Sequence, residues 1–429
     1  MDLFDILKFF LDKHLDVSRP ILLGFSGGVD SSFLLNLLLK YKDKNPLDLH
    51  VATIDHGWRK QSEAESKIIK KRMDKLNITF HFKKLNLNHE NNLEDISRKE
   101  RLLFFKKLYV KHNFQGILLA HQKDDLVETV LKRVLEGAHL FSLTSMKKIS
   151  LIDDMPIWRP LLDISRKDIL TYLKKNEIPY FNDHTNQNTK FLRAKMRKDI
   201  FPYLQKNFNK NILDNLAVLS KRSSELDSYL QKKLDPIFKK ITHSPIGTYI
   251  DLNEVEHILE LKFILKKMSK VDLSRDVLDK LSFWLINKKA NLNLKLKNAN
   301  LYVDRGCFFI LKKEFKSFTT KILLKEGLLE LGPWHVEIKK VNKILNNSSW
   351  RELFINKLMI YVPKDKYYIG LPVVDKRLKK TWENAKIPAF LRRYIPALYH
   401  ENKVLYDFFS TRKTKLNSKE IWQISLKLK

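Results

Sequence analysis

The residues best suited to chemistry lie in one short segment, Phe25–Ser32, which reads FSGGVDSS. An apolar run, Ile21–Gly24, precedes it, and an amphipathic run, Phe33–Lys40, follows it. This order predicts a buried strand that leads through a Gly-Gly turn into a helix. Glycines let backbone N–H groups approach an anion closely, and a helix N-terminus adds its dipole and unpaired donors. The segment therefore predicts a loop that binds a phosphate chain.

Hydroxyl and carboxylate side chains add to the same predicted site. Ser26, Ser31 and Ser32 offer hydroxyl groups to the same anion. The loop is not a Walker P-loop, because that motif needs a lysine directly after its second glycine and a longer spacer. The acidic residue Asp30 instead favours a magnesium ion that bridges the phosphates. A Ser/Gly turn that caps an ordinary helix is the alternative interpretation.

A second acidic segment, His121–Thr129, reads HQKDDLVET and follows a strand-like run at Gly116–Ala120. On a helix, Asp125 and Glu128 share one face, His121 lies on its N-terminal extension, and the valines lie opposite, where they should pack against the sheet. The pattern favours a carboxylate pair that binds a metal or orients an amine, facing the glycine loop. Helix capping is the alternative, because the helix dipole favours carboxylates in a first turn.

Two pairs of arginines are spaced to project together from helices. Arg98 and Arg101 are one turn apart, a spacing that suits a phosphate clamp or a solvated face with Glu100. Arg193 and Arg197 are four residues apart, which suits a rail for an RNA backbone or a plain basic flank. Neither pair is decisive by itself.

The elements that must position these residues alternate between strand-like and helix-like segments. Such alternation predicts an α/β fold, a parallel sheet with helices on both faces, and ligands then bind at the carboxyl ends of the strands. The predicted strands are Ile21–Phe25, His50–Ile54, Ile78–Phe82 and Gly116–Ala120, and the predicted helices are Phe33–Tyr41, Ser62–Leu76, Leu93–His112 and Asp125–Leu135.

The rest of the chain predicts a helical middle and a small mixed α/β C-terminal domain. Leucines, valines and isoleucines recur at three- and four-residue spacing over Ile212–Lys288, whereas short alternating segments follow from about residue 292. We expect four parts: a catalytic domain at 1–208, a helical domain at 209–290, connecting strands at 291–355 and a terminal domain at 356–429.

The amino-acid composition indicates which kinds of partner and which cellular compartment to expect. Lys and Arg number 81 against 49 Asp and Glu, which gives a net charge of +32 and favours a polyanionic partner such as nucleic acid. The single cysteine, Cys307, excludes an intramolecular disulfide framework and a multi-cysteine zinc site. Neither a secretory signal nor an apolar run of membrane-spanning length is apparent, so we expect a cytoplasmic protein with no membrane partner.

The ordered motifs together resemble one known family. SGGVDS is typical of the PP-loop ATP pyrophosphatases, which cleave ATP to AMP and pyrophosphate and adenylate an oxygen. The further motifs IDHGWR, SRKER, HQKDDLVET, RPLL and DHTN, with Arg193 and Arg197, resemble the tRNA(Ile)-lysidine synthetases over about the first 205 residues. The resemblance returns at Lys379–Trp382 and Ile387–Pro396, which look like that family's terminal domain.

The resemblance implies a reaction and its substrates. ATP, with Mg²⁺, adenylates the C2 oxygen of the wobble cytidine in an isoleucine tRNA with a CAU anticodon. The ε-amine of L-lysine then displaces AMP and forms lysidine. Pyrophosphate and AMP are released, so the enzyme is a ligase that forms a carbon–nitrogen bond. Because family members are often dimers, a homodimer is a further expectation.

The same resemblance implies roles for individual residues. Asp30 and Asp125 are expected to hold the magnesium ion, and Asp125 with Glu128 to orient the lysine ammonium, so these three are the expected catalytic residues. The expected nucleotide contacts are Ser26, Gly27, Gly28, Val29, Asp30 and Ser31. The expected tRNA or lysine contacts are Arg98, Arg101, His121, Arg193 and Arg197.

Two residues depart from the family pattern. Gln122 stands where the family usually carries a second histidine, and Ala194 stands where an asparagine usually follows Arg193. Any role of that imidazole is lost or transferred, and alanine cannot make the polar contact of an asparagine.

Three other functions compete with lysidine formation. A 2-thiolating PP-loop enzyme needs catalytic cysteines, and Cys307 lies far outside the predicted α/β domain. Small-molecule PP-loop ligases leave the charge of +32 unexplained. A non-catalytic RNA-binding protein with a relict nucleotide fold is the third competitor, and the intact Ser26, Gly27, Gly28 and Asp30 count against it.

Overall fold

The computed structural model describes residues 2–55, 62–85, 93–144, 146–181, 192–269, 273–297, 299–312, 320–342, 349–356, 358–372, 376–392, 394–401, 403–409 and 420–429. The chain divides into two compact units, Met1–Asp227 and Ser228–Lys429. The motif residues His56–Arg59 and Asn182–Asn186, and Arg393, lie outside the described residues.

The first unit is built on a six-stranded sheet. Its strand order is β3-β2-β1-β4-β6-β5, in which every neighbouring pair is parallel except the edge pair of β5 and β6. The elements are α1 (Leu3–His14), β1 (Ile21–Gly24), α2 (Val29–Lys42), β2 (Leu49–Asp55), α3 (Ser62–Lys75), β3 (Thr79–Lys84), α4 (Leu93–His112), β4 (Gly116–Leu119), α5 (Lys123–Leu135), β5 (Ile149–Ile152), β6 (Met155–Trp158) and α6 (Arg166–Lys175).

Helices cover both faces of this sheet, which confirms the predicted fold class. On one face, Phe10 of α1, Phe33 of α2 and Leu173 of α6 belong to one buried cluster with Leu23 of β1. On the other face, aromatic and aliphatic side chains of α4 pack against the remaining residues of β1 and β4. Because the four central strands are parallel, their carboxyl ends meet at one edge of the sheet, where ligands of such folds bind.

A helical segment completes the first unit. It comprises α7 (Leu192–Lys195), a π-helical turn at Met196–Ile200, α8 (Phe201–Phe208) and the start of α9 (Ile212–Phe238). Val127 of α5 packs against Met196 and Phe201 of this segment, and Val134 is 42% exposed. The expectation that the valines of α5 pack against the sheet is therefore wrong for these two residues. Val127 instead anchors the segment that carries Arg197.

In the part of the chain that the structure describes, the second unit contains three antiparallel sheets, the end of α9, three further α-helices and a 3-10 helix at Trp350–Ile355. The sheet orders are β7-β8-β11-β10-β9, β12-β16-β17-β18 and β13-β14-β19-β15. The elements are β7 (Thr242–Ser244), β8 (Gly247–Asp251), α10 (Ile258–Met268), α11 (Arg275–Ile286), β9 (Leu292–Lys295), β10 (Asn300–Asp304), β11 (Cys307–Leu311), β12 (Ile322–Leu323), β13 (Gly327–Leu331), β14 (Trp334–Val341), β15 (Leu358–Pro363), β16 (Tyr368–Gly370), α12 (Lys376–Asn384), β17 (Ala397–His400), β18 (Lys403–Asp407) and β19 (Ile421–Leu428).

The middle of the chain is less uniformly helical than its periodicity indicates. The β7–β8 hairpin interrupts the predicted helical region, and β8 pairs with β11, so strands from both sides of position 290 share one sheet. The four-part division of the chain stays a prediction beside the two compact units. No helix among the described residues is long and apolar enough to cross a membrane.

Candidate active site

The glycine loop joins β1 to α2 at the carboxyl edge of the sheet. Gly27 has a φ of +75°, and a Cβ atom there would lie 2.5 Å from the ring of Phe181. Phe181 also donates its backbone N–H to the carbonyl of Gly27 at 2.9 Å. Gly28 begins α2 in an extended conformation, and a Cβ atom there would meet only the hydroxyl of Ser26, at 3.5 Å. Gly27 is thus required by the backbone, whereas Gly28 leaves open space above the helix N-terminus.

Hydroxyl groups hold the loop in this shape. The Ser26 and Ser31 hydroxyl oxygens are 3.1 Å apart, and the backbone N–H of Gly28 donates to Ser26 at 3.3 Å. Ser32 is fully buried and donates to the carbonyl of Gly27 at 3.2 Å. Ser32 therefore stabilises the loop from beneath rather than facing an anion.

Asp30 pairs with an arginine that the sequence did not single out. Its Oδ2 accepts from Nη1 of Arg166 at 3.1 Å, whereas its Oδ1 is buried without a hydrogen-bond partner among the described residues. Burial raises the pKa of Asp30 to about 6, against the opposing charge of Arg166. The backbone N–H of Arg166 donates to Asp124 at 2.9 Å. The N-termini of α2, α5 and α6 therefore converge through Asp30, Asp124 and Arg166.

The predicted carboxylate pair also engages an arginine. Arg197 forms a fork on Glu128, with Nε on Oε1 and Nη2 on Oε2, and Nη2 also donates to Oδ1 of Asp125 at 3.1 Å. The side chain of Glu128 is 1% exposed, and burial raises its pKa while the hydrogen bonds from Arg197 oppose that change. Burial tends to lower the pKa of Arg197, but Glu128 and Asp125 raise it. The three side chains therefore form one hydrogen-bonded network.

Asp125 makes a different contact with each of its two carboxylate oxygens. Its Oδ2 accepts the backbone N–H of Gln122 at 3.1 Å, which completes a capping box at the start of α5. Its Oδ1 is the oxygen that contacts Arg197. The cap is thus present and uses only one of the two carboxylate oxygens of Asp125.

A group of arginines surrounds His121. Burial, followed by the charges of Arg159, Arg101, Arg193 and Arg98, lowers the pKa of His121 to about 3. The ring is therefore neutral at pH 7, and its Nδ1 is buried without a hydrogen-bond partner in the described part of the chain. Burial also lowers the pKa of Arg101, and the charges of Arg98 and Arg193 add to that effect. Four guanidinium groups around one neutral imidazole suit an anionic ligand.

The two predicted arginine pairs take different partners from those suggested by spacing. Glu100 accepts from Lys83 at 2.8 Å, and Arg98 and Arg101 lie near His121. Arg197 is bound to the carboxylates of α5, whereas Arg193 belongs to the arginine group around His121.

Both residues that depart from the family pattern are buried. Gln122 is fully buried and caps α5, since its Oε1 accepts from the backbone N–H of Asp124 at 2.6 Å. Ala194 is 8% exposed and belongs to the one-turn helix α7. Gln122 therefore orders the start of α5, which carries Asp125 and Glu128, without being able to titrate as an imidazole would.

Three site residues received no role from the sequence. They are Arg166, Asp124 and Arg159, the last of which is 7% exposed and donates to the carbonyl of Lys147 at 3.1 Å. A signal for Arg166 was present, because a cation in the first turn of a helix opposes the helix dipole and indicates that its charge is used elsewhere.

Asp30 fits a magnesium ion better than Asp125 does. Asp30 has one buried oxygen without a partner, whereas both oxygens of Asp125 accept hydrogen bonds. The described residues contain no group of three or more His, Cys, Asp or Glu that could hold a metal alone.

The parallel sheet, the glycine loop and its acidic helix define a PP-loop ATP-binding enzyme, and the family model for the PP-loop domain matches residues 5–204. A tRNA(Ile)-lysidine synthase of Protochlamydia amoebophila is 32% identical over 420 residues, which cover 94% of this chain and 92% of the relative. The tRNA(Ile)-lysidine synthase of Chlamydia pneumoniae is 33% identical over 303 residues, which cover 69% of this chain and 93% of that relative. The chain belongs to the tRNA(Ile)-lysidine synthase family.

This membership confirms the predicted family and, with it, the predicted ligase class and lysidine-forming activity. Among solved structures, the U34-tRNA thiolase NcsA from Methanococcus maripaludis is similar at a TM-score of 0.42 and 18% identity, over 51% of this chain and 79% of that chain. That likeness is too distant to bear on the activity.

Proposed function

We propose that this chain joins L-lysine to C2 of the wobble cytidine in a CAU-anticodon isoleucine tRNA. In the first step the C2 oxygen attacks the α-phosphorus of ATP, and pyrophosphate leaves. In the second step the ε-nitrogen of lysine attacks C2, the C2–oxygen bond breaks, and AMP leaves while the nitrogen loses a proton. The observation that carries the proposal is the carboxylate network of α5, which lies near Asp30 of the glycine loop and near Arg193 of the arginine group around His121.

The glycine loop binds the phosphates of ATP in this proposal. Gly28, Val29 and Ser31 present the N-terminus of α2, and Gly27 and Ser26 shape the turn beneath it. Open space above Gly28 allows close approach of an anion to backbone donors.

A magnesium ion would be held by Asp30, with Asp125 nearby. When bound, the ion neutralises charge on the phosphates and polarises them toward attack. The unpartnered Oδ1 of Asp30 supports this assignment.

The lysine site follows from the charges of the network. The carboxylates of Asp30, Asp125 and Glu128 bind two guanidinium groups, those of Arg166 and Arg197. A fourth carboxylate, that of Asp124, accepts only the backbone N–H of Arg166 among the described residues. The excess of negative charge favours further cations, and the lysine ammonium is one of them. We assign Asp125 as its direct partner, because the side chain of Asp125 is 13% exposed, whereas that of Glu128 is 1% exposed and is held in a fork by Arg197.

The arginine group around His121 is assigned to the RNA and to the phosphate of AMP. Arg98, Arg101 and Arg193 supply cations for these anions, and neutral His121 can accept a hydrogen bond without adding charge. Exposed lysines of α12 in the second unit are assigned to the tRNA body. The division into a catalytic domain (1–208), tRNA-binding parts (209–290 and 356–429) and connecting strands (291–355) belongs to this proposal, as do a homodimer and a cytoplasmic location.

Thiolation is disfavoured by the only cysteine. Cys307 is 3% exposed in β11 of the second unit, and burial raises the pKa of its thiol to about 11. A thiol of this kind is a poor nucleophile at neutral pH.

The test follows AMP release from labelled ATP, with lysine and an unmodified CAU isoleucine-tRNA transcript. We expect AMP release that requires both RNA and lysine, and its loss in Asp30→Ala. RNA-dependent pyrophosphate release without lysine transfer would leave a PP-loop enzyme with another nucleophile. Absence of any turnover with tRNA would favour the relict RNA-binding protein.

A further inference from the structure

Arg166 is placed to do more than close a surface ion pair. It is the first residue of α6, and its guanidinium reaches Asp30, a residue 136 positions earlier in the chain. The side chains of Arg166 and Asp30 are 31% and 23% exposed, so the pair is largely shielded from solvent. Charge pairs in such settings interact more strongly than exposed ones.

The elements on either side hold Arg166 firmly. Tyr172 of α6 donates to Asn36 of α2 at 3.1 Å and meets the ring of Phe33 edge-on at 5.0 Å between centroids. The backbone N–H of Arg166 is fixed by Asp124, and Lys123 of α5 donates its backbone N–H to the carbonyl of Ile164 at 3.0 Å. The position of the guanidinium beside the loop is therefore built into the packing of three helices.

Asp30 needs a counter-ion because it stands beside a loop that binds phosphates. An ionised carboxylate next to the four negative charges of ATP opposes nucleotide binding. A divalent cation removes that repulsion once it is bound. In the absence of the cation, Arg166 is the described positive group in direct contact with Asp30.

We propose that Arg166 is a positioning residue for the nucleotide site: it neutralises Asp30 until a divalent cation arrives and then leaves Oδ1 of Asp30 to that cation. This inference rests on the proposal that the glycine loop binds ATP. It assigns Arg166 a role in how strongly nucleotide binding depends on magnesium, not in the bond-making steps.

The test measures binding of ATP to the full chain by calorimetry at about pH 8, above the ordinary pKa of a carboxyl group, with excess Mg²⁺ or with EDTA. For Arg166→Gln we expect the affinity for ATP measured with EDTA to fall about tenfold. The decrease in affinity measured with excess Mg²⁺ should be several times smaller. Arg166→Lys, which keeps the charge, should retain most of the Mg²⁺-free affinity. Lys167→Gln is the matched control, since it removes an exposed positive charge from the next residue of α6.

A double-mutant cycle with Asp30→Asn separates this role from a structural one. If Arg166 acts through the charge of Asp30, Arg166→Gln should cost little Mg²⁺-free affinity in the Asp30→Asn background. Equal losses with and without Mg²⁺, or equal losses in both backgrounds, would overturn the inference, and thermal unfolding of each variant would reveal a folding defect. Failure of the wild type to bind ATP even with Mg²⁺ would instead refute the proposed function of the glycine loop.

Discussion

The two glycines of the loop, Gly27 and Gly28, differ in backbone conformation and in the space around them. Gly27 has the left-handed φ of +75° and lies against Phe181, whereas Gly28 has an extended backbone and open space above it. Gly27 is therefore needed for the fold of the loop, and Gly28 for the approach of the ligand. Substitution by alanine distinguishes the two roles.

We expect Gly27→Ala to destabilise the protein by about 2–4 kcal/mol, because the left-handed backbone and the Phe181 contact both penalise a Cβ atom. The free energy of unfolding of Gly28→Ala should lie within about 1 kcal/mol of the wild-type value. This variant should nevertheless bind ATP about tenfold more weakly, because its methyl group occupies the approach to the helix N-terminus. Chemical denaturation and ATP titration measure the two effects. Equal stability losses in both variants would contradict this division.

The carboxylate of Glu128 is expected to matter for lysine transfer more than for adenylation. Glu128→Gln leaves the glycine loop intact but removes the charge that holds Arg197, so transfer should slow by about a hundredfold. Measuring pyrophosphate release without lysine and lysine incorporation with it separates the two steps. Glu136→Gln, at the exposed end of α5 beside Lys132, is the control. A similar loss in both steps would mean that Glu128 only maintains the pocket.

At the level of elements, the sequence predicted the catalytic sheet well and the site contacts poorly. Leu93–His112 was predicted with the observed bounds, because long apolar periodicity specifies a helix locally. The β7–β8 hairpin was missed, since Thr242–Ser244 is a three-residue strand with little apolar alternation. The Arg166–Asp30 pair could not be predicted from spacing, because tertiary packing of α6 on α2 brings together residues far apart in the chain.

A cluster of histidines at the starts of β2 and β3 and the end of α4 predicts acid sensitivity. His50 Nδ1 and His81 Nε2 are 3.0 Å apart, and the ring centroids of His81 and His112 are 4.8 Å apart. Burial, with the charges of His50, His112 and Lys111, lowers the pKa of His81 to about 4. Burial also lowers the pKa of His50, and Asp48 opposes that change. The unfolded chain therefore takes up a proton before the folded one does.

The contribution of this cluster to the free energy of unfolding should therefore be fully present above the ordinary histidine pKa of about 6.5. It should decline as the pH falls from there toward 4. This site is half-buried, so solvent screens part of the effect. We expect the loss in the free energy of unfolding between pH 6.5 and 4 to be about 1 kcal/mol smaller in His81→Gln than in the wild type. Urea midpoints at several pH values measure it, with the half-exposed His335 as the control substitution. An unchanged pH profile in His81→Gln would refute a role for the cluster.

At the scale of the whole molecule, the net charge of +32 implies salt-dependent binding of RNA. Helix α12 buries Trp382 and packs Leu378 against the core of the second unit, while Lys379 and Lys380 remain exposed. This arrangement leaves the lysines available to phosphates.

We expect Lys379→Gln and Lys380→Gln each to weaken tRNA binding and to lower the slope of log affinity against log salt by about 1. Lys44→Gln is the control, because Lys44 follows α2 on the side of the sheet away from the carboxyl ends of its strands. Filter binding at several salt concentrations gives the slopes. Unchanged slopes in both α12 variants would remove this helix from the proposed tRNA surface.

The most direct test of lysidine formation is mass analysis of nucleosides from a CAU isoleucine-tRNA transcript incubated with the protein, ATP, Mg²⁺ and isotope-labelled lysine. We predict a modified cytidine at the wobble position whose mass increase equals lysine minus water and carries the label, absent without ATP and in Asp30→Ala. A labelled product at another nucleotide, or an unmodified wobble cytidine despite AMP release, would contradict the account.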